Sequence, residues 1–206
     1  MEQRTDEWFA ARLGKVTASR IGDVMARTKT GYGASRANYM AQLVVERMTG
    51  KQTEMYSNAA MVWGTETEPL ARAAYETRNN LMVDEVGLVY HPAIPMSGAS
   101  PDGLIGEHGL IEIKCPNTAT HIETLLSDRI NESYILQMQW QMACTGRQWC
   151  DFVSFDPRMD EELQLKIIPN KRDDALISEI EGEVRKFLAE LDLKIESLNQ
   201  LKEKNE

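Results

Sequence analysis

The stretch "SGASPDGLIGEHGLIEIKCP", residues 97–116, decides the fold. Successive side chains of an extended strand point to opposite faces, so Glu112 and Lys114 share one face. The two isoleucines and the cysteine that alternate with them take the other face, which the pattern predicts to be core. A carboxylate beside an ammonium on the remaining face indicates either an ordinary salt-bridged surface or a metal site.

The same stretch suits a magnesium site at the edge of a β-hairpin. We expect Asp102 to end a strand-like segment and residues 103–110 to form a bend that returns Glu112 on the adjacent strand. Magnesium is held by one or two carboxylates and keeps positions for water and phosphate, which phosphodiester cleavage needs. The Ile113 carbonyl would complete the ligand set, and Lys114 would orient or deprotonate the attacking water.

A further carboxylate comes from "WGTETEP", residues 63–69, which offers Glu66 and Glu68. Only one of the two needs to face the site, and Glu68 is the candidate. Apolar flanks argue against a solvated loop around residues 110–115, because burying Glu and Lys without a purpose costs free energy.

Length and composition indicate an ordinary globular chain. Its 206 residues, 42% hydrophobic and 27% charged, predict one domain over residues 1–206, including an amphipathic C-terminal helix over residues 172–206. No apolar run approaches the ~18 residues of a membrane span, and no signal-type segment follows Met1, so we expect a cytoplasmic protein without a membrane partner. Three cysteines without CxxC spacing disfavour a disulfide framework and a zinc finger.

The order of elements predicts an α/β fold. Helices come first, then a strand cluster, two helices, two strands and a final helix, which suits a mixed sheet with helices on its faces. The strand candidates are residues 85–91, 96–100, 110–115, 149–155 and 163–168. Among the helices we expect one that ends at Gly14, one capped by Thr17 or Ser19, one that Ser35 caps and Gly50 stops, and a helical region over residues 58–78 that restarts near Glu68 because of Pro69.

Charge is distributed unevenly. The net charge of −9 argues against nucleic acid, yet between Trp8 and Val45 a basic strip opposes one acid, Asp23. The members of the strip are Arg12, Lys15, Arg20, Arg27, Lys29 and Arg36. A DNA-binding strip and a solvated loop with a helix edge both fit this pattern.

Six motifs in order carry a family resemblance. They are "DEWFAARLGKVTAS", "WGTETE", "SPDG", "EIKCP", "YILQMQWQM" and "FDPRM". PD followed by ExK resembles the signature of the PD-(D/E)xK nuclease superfamily, and the six together resemble its lambda-exonuclease (viral recombinase) family. The resemblance covers about residues 6–168. It implies a central mixed β-sheet flanked by helices, with a long C-terminal helix.

The resemblance also implies site residues. The metal ligands would be Asp102, Glu112, the carbonyl of Ile113 and Glu68, and the water-activating lysine would be Lys114. The 5′-phosphate pocket would be formed by Arg12, Ser19, Ser100 and Gln137. Those types suit an anion, because Arg clamps phosphate in a bidentate manner and the other side chains donate hydrogen bonds.

The activity implied by the family is a Mg²⁺-dependent 5′→3′ exonuclease, with Mn²⁺ as a substitute and two ions per site. Such an enzyme digests one strand of linear duplex DNA from a 5′-phosphorylated end to mononucleotides. The family further implies a homotrimeric ring that threads DNA and a single-strand annealing protein that receives the 3′ overhang. The setting would be the bacterial host of a phage or prophage.

Several points stay open at the sequence level. We expect DNA contacts by Arg27, Lys29 and Arg36. The basic loop over residues 27–36 differs from its counterpart in the lambda enzyme, so the residue that separates the strands is unassigned. The candidates for that role are Arg27, Lys29 and Tyr32. Gln141 should share the Gln137 face of its helix. The four tryptophans are interpreted as core.

Alternative functions also remain. They are a related superfamily endonuclease, a single-strand nuclease and a non-catalytic DNA-binding scaffold. An iron–sulfur branch is disfavoured because it needs four cysteines.

Overall fold

Helices and strands alternate in a computed structural model that describes residues 2–53 and 58–204. The α-helices are α1 (Asp6–Arg12), α2 (Ile21–Met25), α3 (Ala34–Thr49), α4 (Ala59–Asn79), α5 (Thr118–Ser127), α6 (Glu132–Thr145) and α7 (Asp174–Glu203). The strands are β1 (Val16–Thr17), β2 (Arg27–Thr28), β3 (Gly31–Tyr32), β4 (Val89–His91), β5 (Ile94–Ala99), β6 (Gly103–Ile105), β7 (Gly109–Lys114), β8 (Trp149–Phe155) and β9 (Leu165–Lys171).

The strands form two mixed sheets and a small hairpin within the described residues. The larger sheet has the order β6-β7-β8-β9, in which β7 runs parallel to β8 and the other neighbours are antiparallel. The second sheet has the order β1-β5-β4, and β2 pairs with β3. The predicted mixed α/β class with flanking helices is confirmed, although the strands fall into two sheets instead of one.

Strand β7 packs on both faces, because helices cover the larger sheet on each side. Leu110 belongs to the core that α6 and α7 build, whereas Ile111 and Ile113 pack in a second cluster with Tyr75 of α4. Alternation therefore directs Glu112, like Leu110, towards α6. A salt-bridged surface, one of the two sequence-level alternatives, is excluded because Glu112 is 1% exposed.

Two predicted helix caps are wrong. Thr17 lies in β1 and makes no side-chain cap to the following 3-10 turn, Ala18–Arg20. Ser35 lies inside α3, whose N-cap is Gly33. The predicted stop at Gly50 agrees with the structure, since this residue adopts a left-handed φ of 66° that favours glycine.

Helix α4 continues through Pro69, so the predicted restart near Glu68 is wrong. Proline removes one intrahelical hydrogen bond and crowds the preceding turn. Pro69 lies on the exposed face of α4, whereas Ala71 and Tyr75 of the same helix are buried against the sheet. That packing keeps the helix in one piece.

The basic segment over residues 27–32 is a hairpin rather than a flexible loop. The Tyr32 hydroxyl donates to Glu183 of α7 at 2.7 Å, and the Arg27 guanidinium lies 4.1 Å from the centre of the Tyr32 ring. These contacts fix the hairpin against a helix that is 151 residues distant in sequence.

The long C-terminal helix is confirmed as α7, and residues 205–206 of the predicted range lie outside the described part. Its buried side chains include Ile180, Val184, Phe187 and Leu191. Within residues 2–53 and 58–204, none of the helices has both the length and the apolar content to cross a membrane. The single-domain interpretation of residues 1–206 stays a prediction.

Replacing Pro69 by Ala should stabilise the protein. Proline inside a helix is about 3 kcal/mol less favourable than alanine, and part of this gain is offset by a more flexible unfolded chain. We expect the free energy of unfolding to rise by about 1–3 kcal/mol in urea titrations. Leu70→Ala, on the neighbouring exposed position, should change it by less than about 0.5 kcal/mol, and an unchanged or lower stability of P69A would contradict this account of α4.

Candidate active site

The predicted site residues gather in one cleft of about 950 Å³. Its walls come from α1, α4, the β6–β7 hairpin, α6 and the turn after β8. The predicted residues that line it are Arg12, Ser19, Glu68, Ser100, Asp102, Glu112, Ile113, Lys114 and Gln137.

Glu112 is a buried carboxylate that takes three side-chain hydrogen bonds. Lys114 Nζ donates to its Oε1 at 2.5 Å, and Gln137 Nε2 donates to the same oxygen at 2.7 Å. Gln141 Nε2 donates to Oε2 at 2.5 Å. Gln137 and Gln141 share one face of α6 as the i, i+4 spacing predicts, whereas Gln139 bonds to the backbone of Lys171 and Asp173.

Asp102 precedes β6 and lies across from Glu112. Because Gly103 pairs with Ile111, continuation of the register brings residue 102 opposite residue 112. The structure therefore places Asp102 at the start of the hairpin's first strand, not at the end of the preceding strand as expected. Asp102 Oδ2 accepts the Ile113 N–H at 2.7 Å, and the carbonyl of a strand residue points to the same side as its N–H. The Ile113 carbonyl is thus directed towards the Asp102 side of β7.

Negative charge in the cleft is concentrated around Asp102. Burial raises the pKa of Asp102 well above its usual range, and the carboxylates of Glu112 and Glu68 raise it further, against the opposing effect of Lys114. Burial alone would lower the pKa of Lys114, but Glu112 and Asp102 more than offset this and raise it. The protonated form of Lys114 is therefore favoured, and its single positive charge lies near two carboxylates, those of Glu112 and Asp102.

Glu68 lines the cleft but is engaged with arginines. Its carboxylate pairs with Arg4 at 2.5 Å and with Arg72 at 2.9 Å. Glu66 is exposed, so Glu68 is the member of the pair that faces the cleft. Among residues 2–53 and 58–204, no three His, Cys, Asp or Glu side chains converge closely enough to hold a metal by themselves. Direct metal ligation by Glu68 is therefore not seen here and stays a prediction.

The residues expected to hold a 5′-phosphate surround Ser100. Its Oγ accepts from Arg12 Nη1 at 3.3 Å and from Trp8 Nε1 at 2.9 Å. The Arg12 guanidinium lies 4.1 Å from the centre of the Trp8 ring, and burial lowers the pKa of Arg12. Ser19 lines the same cleft, whereas Gln137 uses its amide N–H on Glu112 and so connects this pocket with the carboxylates.

The remaining DNA-binding candidates do not line the cleft. Arg36 has a 5% exposed side chain and pairs in a bidentate manner with Glu190, at 2.6 and 3.2 Å, so its predicted DNA contact conflicts with its position. Arg27 pairs with Glu183, while Lys29 lies at the exposed tip of the hairpin. Three members of the basic strip, Arg20, Arg27 and Arg36, thus lie in local ion pairs.

Sequence reasoning missed several residues of the cleft. Trp8 and Trp63 line it, contrary to their interpretation as core, while Trp140 is fully buried as expected. Arg158 lines it as well, although "FDPRM" served only as a family motif. The sequence signal that could have found Arg158 is its place two residues after Asp156, the aspartate that directly follows β8.

Comparisons with known proteins identify relatives of this chain. A family model described as a YqaJ-like viral recombinase domain matches residues 7–148. An alkaline exonuclease from Laribacter hongkongensis, LHK-Exo, is 58% identical, with a TM-score of 0.91 over 98% of this chain and 100% of that chain. A structure of LHK-Exo in complex with dAMP is 59% identical, with a TM-score of 0.92 and the same coverage.

More distant relatives support the fold. A phage-related exonuclease from Haemophilus somnus 129PT has a TM-score of 0.71 at 15% identity, over 89% of this chain and 96% of that chain, which bears on the fold alone. The uncharacterized protein R354 of Acanthamoeba polyphaga mimivirus is 26% identical over 165 residues, or 74% of this chain. This chain spans 29% of the length of that curated relative.

Asp102→Asn should stabilise the protein in EDTA. Since burial and the neighbouring carboxylates raise the folded-state pKa of Asp102, its ionised form weakens the folded state above that pKa, and removing the charge should raise the melting temperature there. Lowering the pH through the raised pKa should recover this stability in the wild type but not in D102N. Asp84→Asn, at an exposed position, is the control; equal melting temperatures for D102N and the wild type would contradict the repulsion between the carboxylates.

Proposed function

This chain belongs to the YqaJ-like viral recombinase family, and from that premise we propose that it is a metal-dependent DNA exonuclease. Its substrate would be linear duplex DNA with a 5′-phosphorylated end, digested 5′→3′ to mononucleotides. The observation that carries the proposal is one cleft in which the Arg12–Ser100 pocket adjoins Asp102, Glu112 and Lys114.

The donor set fits a hard divalent cation. Asp102 and Glu112 supply carboxylate oxygens beside the Ile113 carbonyl, and Mg²⁺ is typically held by one or two carboxylates together with substrate phosphate and water. A cation would also relieve the repulsion that raises the pKa of Asp102. We propose Mg²⁺, with Mn²⁺ as a substitute and two ions as the family resemblance implies. When bound, the cation neutralises the scissile phosphate and makes water more acidic.

The surrounding side chains position the reactants. Although burial lowers it, the carboxylates of Glu112 and Asp102 raise the pKa of Lys114, so of its two expected roles we assign it the orientation of the attacking water through its N–H donors. Gln137 and Gln141 hold the Glu112 carboxylate from α6, which fixes its orientation across the cleft. Glu68, fixed by Arg4 and Arg72, adds a further carboxylate to the cleft.

End recognition would rest on the pocket around Ser100. Arg12 and Trp8 already point donors at Ser100 Oγ, and a terminal phosphate would accept from the same groups. A phosphate bound there, next to the carboxylates, sets the distance from the strand end to the cleaved bond. The dAMP complex of the 59% identical LHK-Exo supports a mononucleotide product.

The wider setting is proposed from the family alone. We infer a homotrimeric ring around the DNA, a single-strand annealing partner that receives the 3′ overhang, and action in the bacterial host of a phage or prophage. Lys29 and Arg27, at the hairpin tip and its base, remain proposed duplex contacts outside the cleft.

Lys114→Ala should lower kcat by about 10²–10⁴, because it removes the group that orients the water. The assay is release of mononucleotides from a 5′-phosphorylated linear duplex with Mg²⁺, and EDTA should abolish it in the wild type. Lys166→Ala is a matched control, since the side chains of Lys166 and Lys114 are 26% and 27% exposed and each pairs with a carboxylate. Wild-type turnover by K114A would remove Lys114 from the mechanism, and rapid nicking of closed circular plasmid by the wild type would favour an endonuclease instead.

Arg12→Gln should abolish the preference for phosphorylated ends. We expect the wild type to degrade a 5′-phosphorylated duplex at least about tenfold faster than a 5′-hydroxyl duplex, because a charge-assisted contact to phosphate is worth roughly 1.5–3 kcal/mol. R12Q should treat both ends alike. Arg78→Gln, which removes an arginine that bonds to the Leu165 carbonyl away from the cleft, should keep the preference. A preference that survives in R12Q would exclude Arg12 from the phosphate pocket.

A further inference from the structure

An aspartate–arginine pair follows strand β8 and reaches the cleft. Asp156 is fully buried, and its Oδ1 accepts from Arg158 Nε at 2.7 Å and from the Arg158 backbone N–H at 3.0 Å. Its Oδ2 accepts from Arg158 Nη2 at 2.9 Å and from Thr118 Oγ1 at 2.7 Å. Both carboxylate oxygens are therefore fully engaged, and the guanidinium plane is fixed.

The exposed half of this pair faces the cleft. The Arg158 side chain is 48% exposed although its partner is buried. Nη2 makes a longer contact, of 3.4 Å, to the Pro116 carbonyl, and within the described ranges 2–53 and 58–204 no acceptor lies on Nη1. The guanidinium lies 4.5 Å from the centre of the Trp63 ring, which adds a cation–π contact from α4. A side chain fixed on one edge and on one face presents its remaining N–H donors in a defined direction.

Sheet order places Arg158 on the opposite side of β7 from the end-binding pocket. In the order β6-β7-β8, Ser100 and Asp102 precede β6, whereas Arg158 follows β8. Lys114 pairs with Ser154, so Asp156 comes level with the residues just after Lys114. Strand β7, with Glu112 and Lys114, therefore separates Arg158 from Ser100 and the Arg12 that bonds to it.

We propose that Arg158 is a second phosphate-binding residue, which holds a backbone phosphate of the digested strand on the 3′ side of the cleaved bond. This rests on the proposed function: a strand whose terminal phosphate lies at Arg12 and whose scissile phosphate lies at Glu112 continues past β7 towards Arg158. The free Nη1 edge would donate to a non-bridging phosphate oxygen. Asp156 is then a positioning residue, because it acts through Arg158.

A purely structural ion pair is the competing explanation, and DNA binding separates the two. In EDTA, where no cleavage occurs, Arg158→Gln should weaken binding of a 5′-phosphorylated duplex about tenfold by fluorescence anisotropy. The slope of log K against log salt should decrease by about one, as expected for one lost phosphate contact. Arg158→Lys should fall between the wild type and R158Q. Arg185→Gln is the matched control, since Arg185 is 51% exposed and pairs with Glu181 on α7 outside the cleft.

The contacted phosphate can be located with duplexes that carry one neutral methylphosphonate linkage in the digested strand. We expect one position on the 3′ side of the first cleaved bond to weaken wild-type binding, and R158Q to be insensitive at that position alone. If R158Q does not fold, as judged by circular dichroism, R158K is tested in the same scan. The methylphosphonate at that position should then weaken binding by R158K less than it weakens binding by the wild type.

Two failures are distinguishable. A wild-type protein that digests linear duplex with Mg²⁺ while R158Q and R158K keep wild-type affinity and the wild-type methylphosphonate profile overturns the role of Arg158 alone. A wild-type protein that neither binds nor digests the duplex overturns the proposed function, and this inference with it.

Discussion

The buried carboxylate of Glu112 is the constraint on which the rest of the structure depends. A charge at 1% exposure is tolerated only when donors replace the lost water. Lys114 supplies one donor from the same strand, and Gln137 and Gln141 supply two from α6. Helix α6 must therefore lie on the sheet with amides facing inward, and its other sides are covered by the core shared with α7.

The compensation around Glu112 does not extend to Asp102. This carboxylate accepts the Ile113 N–H, yet burial and the neighbouring acids raise its pKa. Residues that lower the stability of the fold without a compensating contact typically lie in functional sites, because binding or chemistry requires them there. The electrostatic conflict at Asp102 thus falls where we propose that a cation binds, so fold stability and the proposed activity oppose each other there.

Sequence patterns over a few residues predicted much of this arrangement, but they did not predict contacts between residues that are distant in sequence. The period of two in β7 gave the shared face of Glu112 and Lys114, and the i, i+4 spacing gave the common face of Gln137 and Gln141. Docking of Tyr32 on Glu183 could not be predicted, because nothing local signals a partner 151 residues away. The continuity of α4 through Pro69 was not predicted for a related reason. Packing of the opposite face of α4 against the sheet overrides the low helix propensity of proline.

Charge placement accounts for the preference for DNA ends that we propose for this acidic chain. With a net charge of −9, its overall field repels DNA, and several arginines of the basic strip are neutralised locally, as Arg20 is by Asp23 and Arg36 by Glu190. Under the proposed function, the oriented guanidinium groups in the cleft would supply much of the affinity for a strand end. Weak attraction outside the cleft and directed donors within it would together favour strand ends over internal sites in the proposed function.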